Sequence, residues 1–362
     1  MDKHNKDTVK ECLAYLGRYY KFTLDELTGQ FFYQRRDCRT KKKLFDRGYF
    51  VRFLSESKFK YSSSTVRESL KAIHYKPINA VKAFFGQQKY LNHTCSPFDQ
   101  LDDYFTLDEP APYSFASMLE MHLVRAIRSV INGEPNRFIF TLVSAKEYLG
   151  KTSFIEWLFP SELQGYCMST LGGRKERRDT ILASKFLVNI DEFSGATVTA
   201  DAQLKAMVSQ RSAALWIPFK NQIEQRPRIT TFFATKNLGK KPILSDKSSN
   251  SRYIIYNVQS IDWSYRDKID ASDLWSYAIA KALDPTYDAE LGIDEVRDLE
   301  AYNKRYSDPV TPTKVKSKRQ SSVSKTSLAA AVTAAITAFA FTPWGRVLIS
   351  AAAAIARSFV SG

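Results

Sequence analysis

Ser144-Ala145-Lys146-Glu147-Tyr148-Leu149-Gly150-Lys151-Thr152 is the stretch that decides the fold of this chain. Before it, Arg137-Phe138-Ile139-Phe140-Thr141-Leu142-Val143 reads as a buried strand. After it, Ser153-Phe154-Ile155-Glu156-Trp157-Leu158-Phe159 reads as a short helix stopped by Pro160. A strand, a loop ending in Gly-Lys-Thr and a helix present backbone N–H groups, a cation and a hydroxyl to a phosphate chain. The full pattern is G-x-x-x-x-G-K-[ST]. Ala145 stands where its first glycine belongs, which narrows the loop without forbidding it. Ala145, Gly150, Lys151 and Thr152 are therefore the nucleotide-binding candidates. The plain alternative is a strand-to-helix turn with no ligand.

The apolar run Phe186-Leu187-Val188-Asn189-Ile190 ends in Asp191-Glu192. A carboxylate at the end of a buried strand completes a metal shell, and its neighbour can orient an attacking water. Thr152 and Asp191 are the metal candidates, for Mg²⁺, and Glu192 is the catalytic acid. A further strand, Arg228 to Asn237, ends in Thr235-Lys236-Asn237, where Asn237 or Thr235 could polarise the water. A strand ending in an ordinary turn is the competing reading. Arg252 precedes the run Tyr253-Ile254-Ile255-Tyr256. It could stabilise phosphate charge in its own or a neighbouring subunit, or be a surface arginine.

This order of motifs resembles the virulence-associated protein E family and the related primase-helicase-type ATPases of phages, plasmids and integrated elements. Those resemble superfamily 3 helicases on an AAA+-like core. The resemblance implies Lys151 and Thr152 as phosphate and Mg²⁺ ligands, and Asp191 and Glu192 as metal-shell and water-activating acids. It implies Asn237 as sensor and Arg252 as the arginine of an Asn-Arg-Arg-Phe-like strand. Leu215 to Lys220, with Arg226-Pro227-Arg228, is similar to that family's Arg-Pro-Pro-Tyr-Gly hairpin region. The strand pair through Thr28-Gly29 and the helix at Asn79 to Phe85 look like the segments before such cores. Relatives carry glycines at positions 145 and 148, so nucleotide binding is expected ahead of fast turnover. No primase-type acidic cluster is present near the N-terminus.

The 362 residues suffice for one sizeable core and a smaller domain. A net charge of +15 calls for a polyanionic partner, nucleic acid or an anionic membrane surface. Cys12, Cys38, Cys95 and Cys167 form no C-x-x-C pair, so they read as reduced, buried and cytosolic, without a zinc site. The polar start is no signal peptide.

Residues 1–110 read as a basic α+β module: a helix at 7–18, a hairpin at 20–34, and helices near 41–56 and 65–74. Thr65 and Glu68 have capping-box spacing, and Pro77 suits the first turn of the next helix. The arrangement resembles a winged-helix-like module. Arg35, Arg36, Lys41, Lys42, Lys43 and, further on, Lys220 are the nucleic-acid-binding candidates, DNA ahead of RNA. Tyr33, Phe45, Tyr49, Phe50 and Tyr61 among them suit base stacking, or else an aromatic core beneath a solvated basic surface.

Residues 111–306 read as the ATPase domain. It opens with an amphipathic helix carrying a core-edge His122 and closes with a helical lid packed by Trp263, Trp275 and Tyr277. Residues 307–326, basic and serine-rich, read as a disordered linker. Residues 327–362 are apolar, with Leu328, Ile336, Phe339, Phe341, Trp344, Ile349 and Ile355 as membrane candidates and a break at Pro343-Trp344-Gly345. Each half is shorter than the roughly 20 residues of a spanning helix, so a helical hairpin is expected. An alanine-rich pair packing within an oligomer is the alternative.

The expected fold is thus a P-loop AAA+-like α/β core with a basic N-terminal module and an apolar C-terminal hairpin. The expected function is an ATP- and Mg²⁺-using, ring-forming homo-oligomeric, helicase-like ATPase of a mobile element. It would be cytoplasmic and held at the inner membrane by its tail. The alternative is an anti-phage effector in which ATP and nucleic acid control membrane permeabilisation by the hairpin.

Overall fold

The computed structural model describes residues 3–307 apart from 38–42, 45–49, 51–60, 74, 88–94, 170–174, 192–197, 218–221, 239–242 and 245–249. Lys41, Lys42, Glu192 and Lys220 lie outside the described residues, as does everything beyond Ser307, including the seven membrane candidates.

The core is a six-stranded sheet in the order β5-β12-β6-β11-β8-β7. These strands are β5 (Phe105–Leu107), β6 (Ile139–Ser144), β7 (Cys167–Met168), β8 (Leu187–Ile190), β11 (Thr231–Asn237) and β12 (Tyr253–Ile261), while β9 (Ser212–Ile217) and β10 (Gln222–Pro227) form a separate antiparallel hairpin. All neighbours run parallel except β5 against β12. A parallel sheet is covered on both faces, which is why its strands are continuous apolar runs. Every residue of β6 is buried.

One face packs on α4 (Phe115–Ile131) and α9 (Ala271–Leu283), through Phe115, Leu119, Phe140 and Trp275. The other face packs on α6 (Lys175–Ser184) and α7 (Val198–Ser209), through Ile139, Val188, Leu204 and Phe232. The molecule is a mixed α/β fold with a parallel-rich sheet between helical layers. The amphipathic helix of the sequence is buried almost all round, and His122 is 0% exposed, so it belongs to the core and not to its edge.

Four strands near the N-terminus form a second sheet: β1 (Tyr20–Asp25), β2 (Phe31–Arg35), β3 (Lys43–Leu44) and β4 (Lys76–Ile78), in the order β3-β2-β1-β4. Helices α1 (Lys3–Tyr19) and α2 (Ser63–Lys71) accompany them. Lys43-Leu44 is strand where a helix was expected, and Pro77 lies in edge strand β4 and not in a helix. An edge strand tolerates proline because no ladder partner needs its missing N–H. Ser62 caps α2, its hydroxyl accepting from the Thr65 N–H at 3.2 Å, while Glu68 pairs with Lys71.

Phe50 is 0% exposed, and its ring lies 5.4 Å from Tyr20, 5.8 Å from Phe22 and 4.7 Å from Tyr33. The aromatic-core alternative therefore holds for Tyr33 and Phe50; neither is a base platform. The main core reaches back before residue 110. Val81, Phe84 and Phe85 of α3 (Ala80–Gln87), with Phe98, Leu101 and Phe105, join the main core. Asp25 of β1 ties the N-terminal sheet to that core by accepting from Tyr166 Oη at 2.8 Å.

Candidate nucleotide site

Strand β6 ends at Ser144, and α5 (Lys151–Leu158) begins at Lys151. The loop between them turns through two residues in left-handed conformations, Tyr148 at φ 60° and Gly150 at φ 92°. Glycine adopts that region without penalty. Tyrosine does so at a cost of about 1–2 kcal/mol. Tyr148 is the single non-glycine with positive φ among the described residues, and its side chain is 96% exposed. Backbone strain of this kind gathers at functional loops.

The loop borders a cavity of about 400 Å³ outside the C-terminal ends of the parallel strands. That is where ligands bind in open parallel sheets. Lys151 is 6% exposed, and its Nζ donates to Ser144 Oγ at 2.5 Å and to Asn237 Oδ1 at 2.8 Å. Burial holds its pKa below the ordinary lysine value, against the opposing pull of the Asp191 and Glu147 carboxylates. Asp191 Oδ1 accepts from Thr152 Oγ1 at 2.8 Å and from Thr235 Oγ1 at 2.6 Å.

The structure therefore brings Gly150, Lys151, Thr152, Asp191 and Asn237 to one cavity. Thr235, which the sequence offered as an alternative to Asn237, is there as well and binds Asp191. Two further residues join them without having been singled out for the site. Ser144 supplies the closest partner of Lys151, and Trp263, read as lid packing, lines the cavity. The signal for Ser144 was its place as the last residue of the strand feeding the loop.

The structure does not bring Arg252 there. Ile139 pairs with Tyr253 and Asn237 with Ser144, so Arg252 sits at the beginning of the parallel strands and the cavity at their end. Five residues of strand separate those ends by about 17 Å. Arg252 donates instead to Ser209 Oγ at 2.9 Å, beside a second cavity that also meets Arg125 and Arg137. A phosphate role for Arg252 within its own subunit is excluded by this placement.

On the N-terminal sheet, Arg35 is paired with Asp37 at 2.5 Å. Arg36 Nε donates to the carbonyls of Gly17 at 3.1 Å and Tyr20 at 3.3 Å, clasping the end of α1 to the hairpin. Lys43 lies in β3. Cys12 is buried as expected, but Cys95 is exposed. Among the described residues no cluster of three or more His, Cys, Asp or Glu side chains could hold a metal ion, and no helix is long and apolar enough to cross a membrane.

Residues 95–307 match the Virulence-associated protein E-like domain. No curated protein matches the chain. Among solved structures, the apo NrS-1 C terminal region (305-718) superposes with a TM-score of 0.54 at 12% identity, covering 86% of this chain and 76% of that one. Its A form, also apo, gives 0.53 at 12% identity over 84% and 76%. At such identity the likeness concerns the fold.

Proposed function

The chain belongs to the Virulence-associated protein E-like family, and on that premise we propose that it is a nucleic-acid-associated, ATP-hydrolysing P-loop enzyme of a mobile element. The observation that carries this reading is the partnering of Lys151. It is a buried cation whose hydrogen bonds go to two neutral side-chain oxygens, at the start of a helix and beside an acid–hydroxyl group. Such a cation gains from exchanging Ser144 and Asn237 for a phosphate oxygen. The α5 N-terminus adds backbone N–H groups to the same anion.

The oxygens of Thr152, Asp191 and Thr235 fit a hard cation such as Mg²⁺, which binds through oxygen ligands and few protein groups. Bound there with the nucleotide, Mg²⁺ supplies charge against the phosphates. Glu192, next in the chain to Asp191, orients the attacking water, and Asn237 holds the far end of the triphosphate once Lys151 releases it. Arg252 can meet a phosphate only from a neighbouring copy, so its role requires a head-to-tail ring.

Lys41, Lys42, Lys43, Arg35 and Lys220 supply phosphate contacts to single-stranded nucleic acid, DNA ahead of RNA. Residues 327–362 add attachment to an anionic membrane, on the strength of their apolar sequence and the basic stretch before them. That tail also supports a second reading, the anti-phage effector, which liposome leakage dependent on residues 327–362 would favour. For the leading reading the test is ATP turnover with and without single-stranded DNA in the intact chain and in Glu192→Gln. The variant should bind ATP normally and turn it over about 10²–10⁴-fold more slowly. Equal turnover would remove hydrolysis from the proposal.

A further inference from the structure

The cavity around Lys151 has an aromatic side as well as a polar one, because Trp263 and Tyr148 both border it. Trp263 follows the end of β12 and leads into α8 (Tyr265–Lys268). Its ring lies so close to Gly150 that a Cβ at that position would sit 2.2 Å from a ring atom. Gly150 thus serves two purposes, the left-handed turn and the close approach of an indole.

The indole is held in place. The Arg266 guanidinium covers it at 4.5 Å from the ring centroid, and the Arg266 N–H donates to the Trp263 carbonyl at 3.2 Å. Arg266 Nε is fixed in turn on Tyr265 Oη at 3.2 Å, and Tyr265 is buried in the core. Even so, Trp263 keeps 44% of its surface exposed, whereas Trp275 keeps 1%. A rigid, half-open aromatic surface beside a phosphate-type cavity matches the stacking needs of a planar base.

Resting on the reading of this cavity as a triphosphate site, the geometry points to Trp263 as the nucleobase shelf, which recognises the flat face of the base and leaves its edge unread. The polar lining supports the second half of that statement. Asn237 is engaged by Lys151, and Asp191 by Thr152 and Thr235. The other polar side chains of the lining, Glu147, Ser153 and Lys236, are exposed or half-buried. Strong discrimination between bases needs buried donors and acceptors held in register, and stacking does not supply it. Among the described residues, the site is therefore tolerant of base identity. ATP and GTP should bind within about threefold of each other, and pyrimidine triphosphates more weakly, because their smaller rings cover less of the indole.

The experiment compares ATP with inorganic tripolyphosphate, which carries the phosphates and no base. Affinities are measured by calorimetry on the full chain, on Trp263→Ala and on Trp263→Phe. In Trp263→Ala, ATP affinity should fall by about fivefold or more while tripolyphosphate affinity stays the same. Unchanged tripolyphosphate binding also shows that the variant is folded. Trp263→Phe should recover most of the ATP affinity. Quenching of tryptophan fluorescence by ATP in the parent chain should be smaller in Trp263→Phe. If ATP and tripolyphosphate weaken together, or ATP affinity does not change, the shelf is overturned and the phosphate site stands. If Lys151→Ala leaves ATP affinity unchanged, the reading of the cavity fails instead.

Discussion

Lys151 and Arg228 are both buried cations packed beside the same sheet, at opposite ends of its strands, and they are satisfied in opposite ways. Arg228 is 0% exposed and donates to four backbone carbonyls, those of Gln210, Thr230, Asn136 and Val208. Its burial, with Arg137 nearby, pushes its pKa down to about 9. Lys151 donates to two side chains that can turn away. A cation fixed on main-chain oxygens cannot exchange them without unfolding the turn they belong to, so Arg228 serves structure. A cation resting on a serine and an asparagine can accept a better anion, which suits the binding role proposed for Lys151. Which partners surround a buried charge says more about its role than burial does.

The largest effect that tests this contrast is on stability. Arg228→Leu leaves four carbonyls without their donor, each worth about 1–3 kcal/mol when orphaned. Urea denaturation should show a loss of about 4 kcal/mol or more, and a loss below about 1 kcal/mol would erase the distinction.

Lys151→Ala should do the reverse. ATP affinity should fall by about 100-fold, the worth of one hydrogen-bonded charge, while stability moves by less than about 1 kcal/mol. Calorimetry and urea denaturation on the same preparation decide it.

A smaller effect sharpens the satisfied end of the sheet. His122 sits there with Nε2 donating to the Phe232 carbonyl at 3.1 Å and Nδ1 accepting from Asn136 at 3.2 Å. Burial pushes its pKa from 6.5 down to about 3. The unfolded chain takes up this proton near pH 6.5 and the folded one refuses it until about pH 3, so acidification across that window favours unfolding. The contribution is at most about 1.4 kcal/mol per pH unit, and His122→Gln should flatten the stability profile by that amount.

The smallest expected effect belongs to the loop. Tyr148→Gly relieves the left-handed strain and should stabilise the fold by about 1 kcal/mol, offset in part by the entropy of glycine, whereas Tyr148→Ala should not.

The parts of the site that were legible in the sequence are the local ones. Gly150-Lys151-Thr152 announces itself because a strand, a turn and a helix are contiguous, and Asp191 and Asn237 because each closes an apolar run. What brings them together is strand order, which is set by pairing between distant segments and leaves no local mark. Ser144 and Trp263 were missed for a related reason. Neither belongs to a motif, and each matters only through a neighbour. Of the two subunits offered for Arg252, its own could have been set aside from the sequence: a residue before a strand and a residue after its parallel neighbour lie at opposite ends of the sheet. In the module, Tyr33 and Phe50 alternate with basic residues in a pattern that a base platform and a core share, and burial resolved it.

The sheet order has a consequence for synthesis. Strand β6, at the middle of the sheet, pairs only with β11 and β12, which are made roughly 90 and 110 residues later. Of the core pairings only β7 with β8 can form before residue 231 exists, and β5 waits for its partner at Val258 to Ile261. A chain emerging from the ribosome therefore carries Phe140 and its apolar neighbours unpaired for much of its translation, at about 5–20 residues per second. The cavity around Lys151 is assembled late and nearly all at once. A truncated product that stops before β12 would hold the Gly-Lys-Thr loop in full and still lack one flank of the strand that carries it.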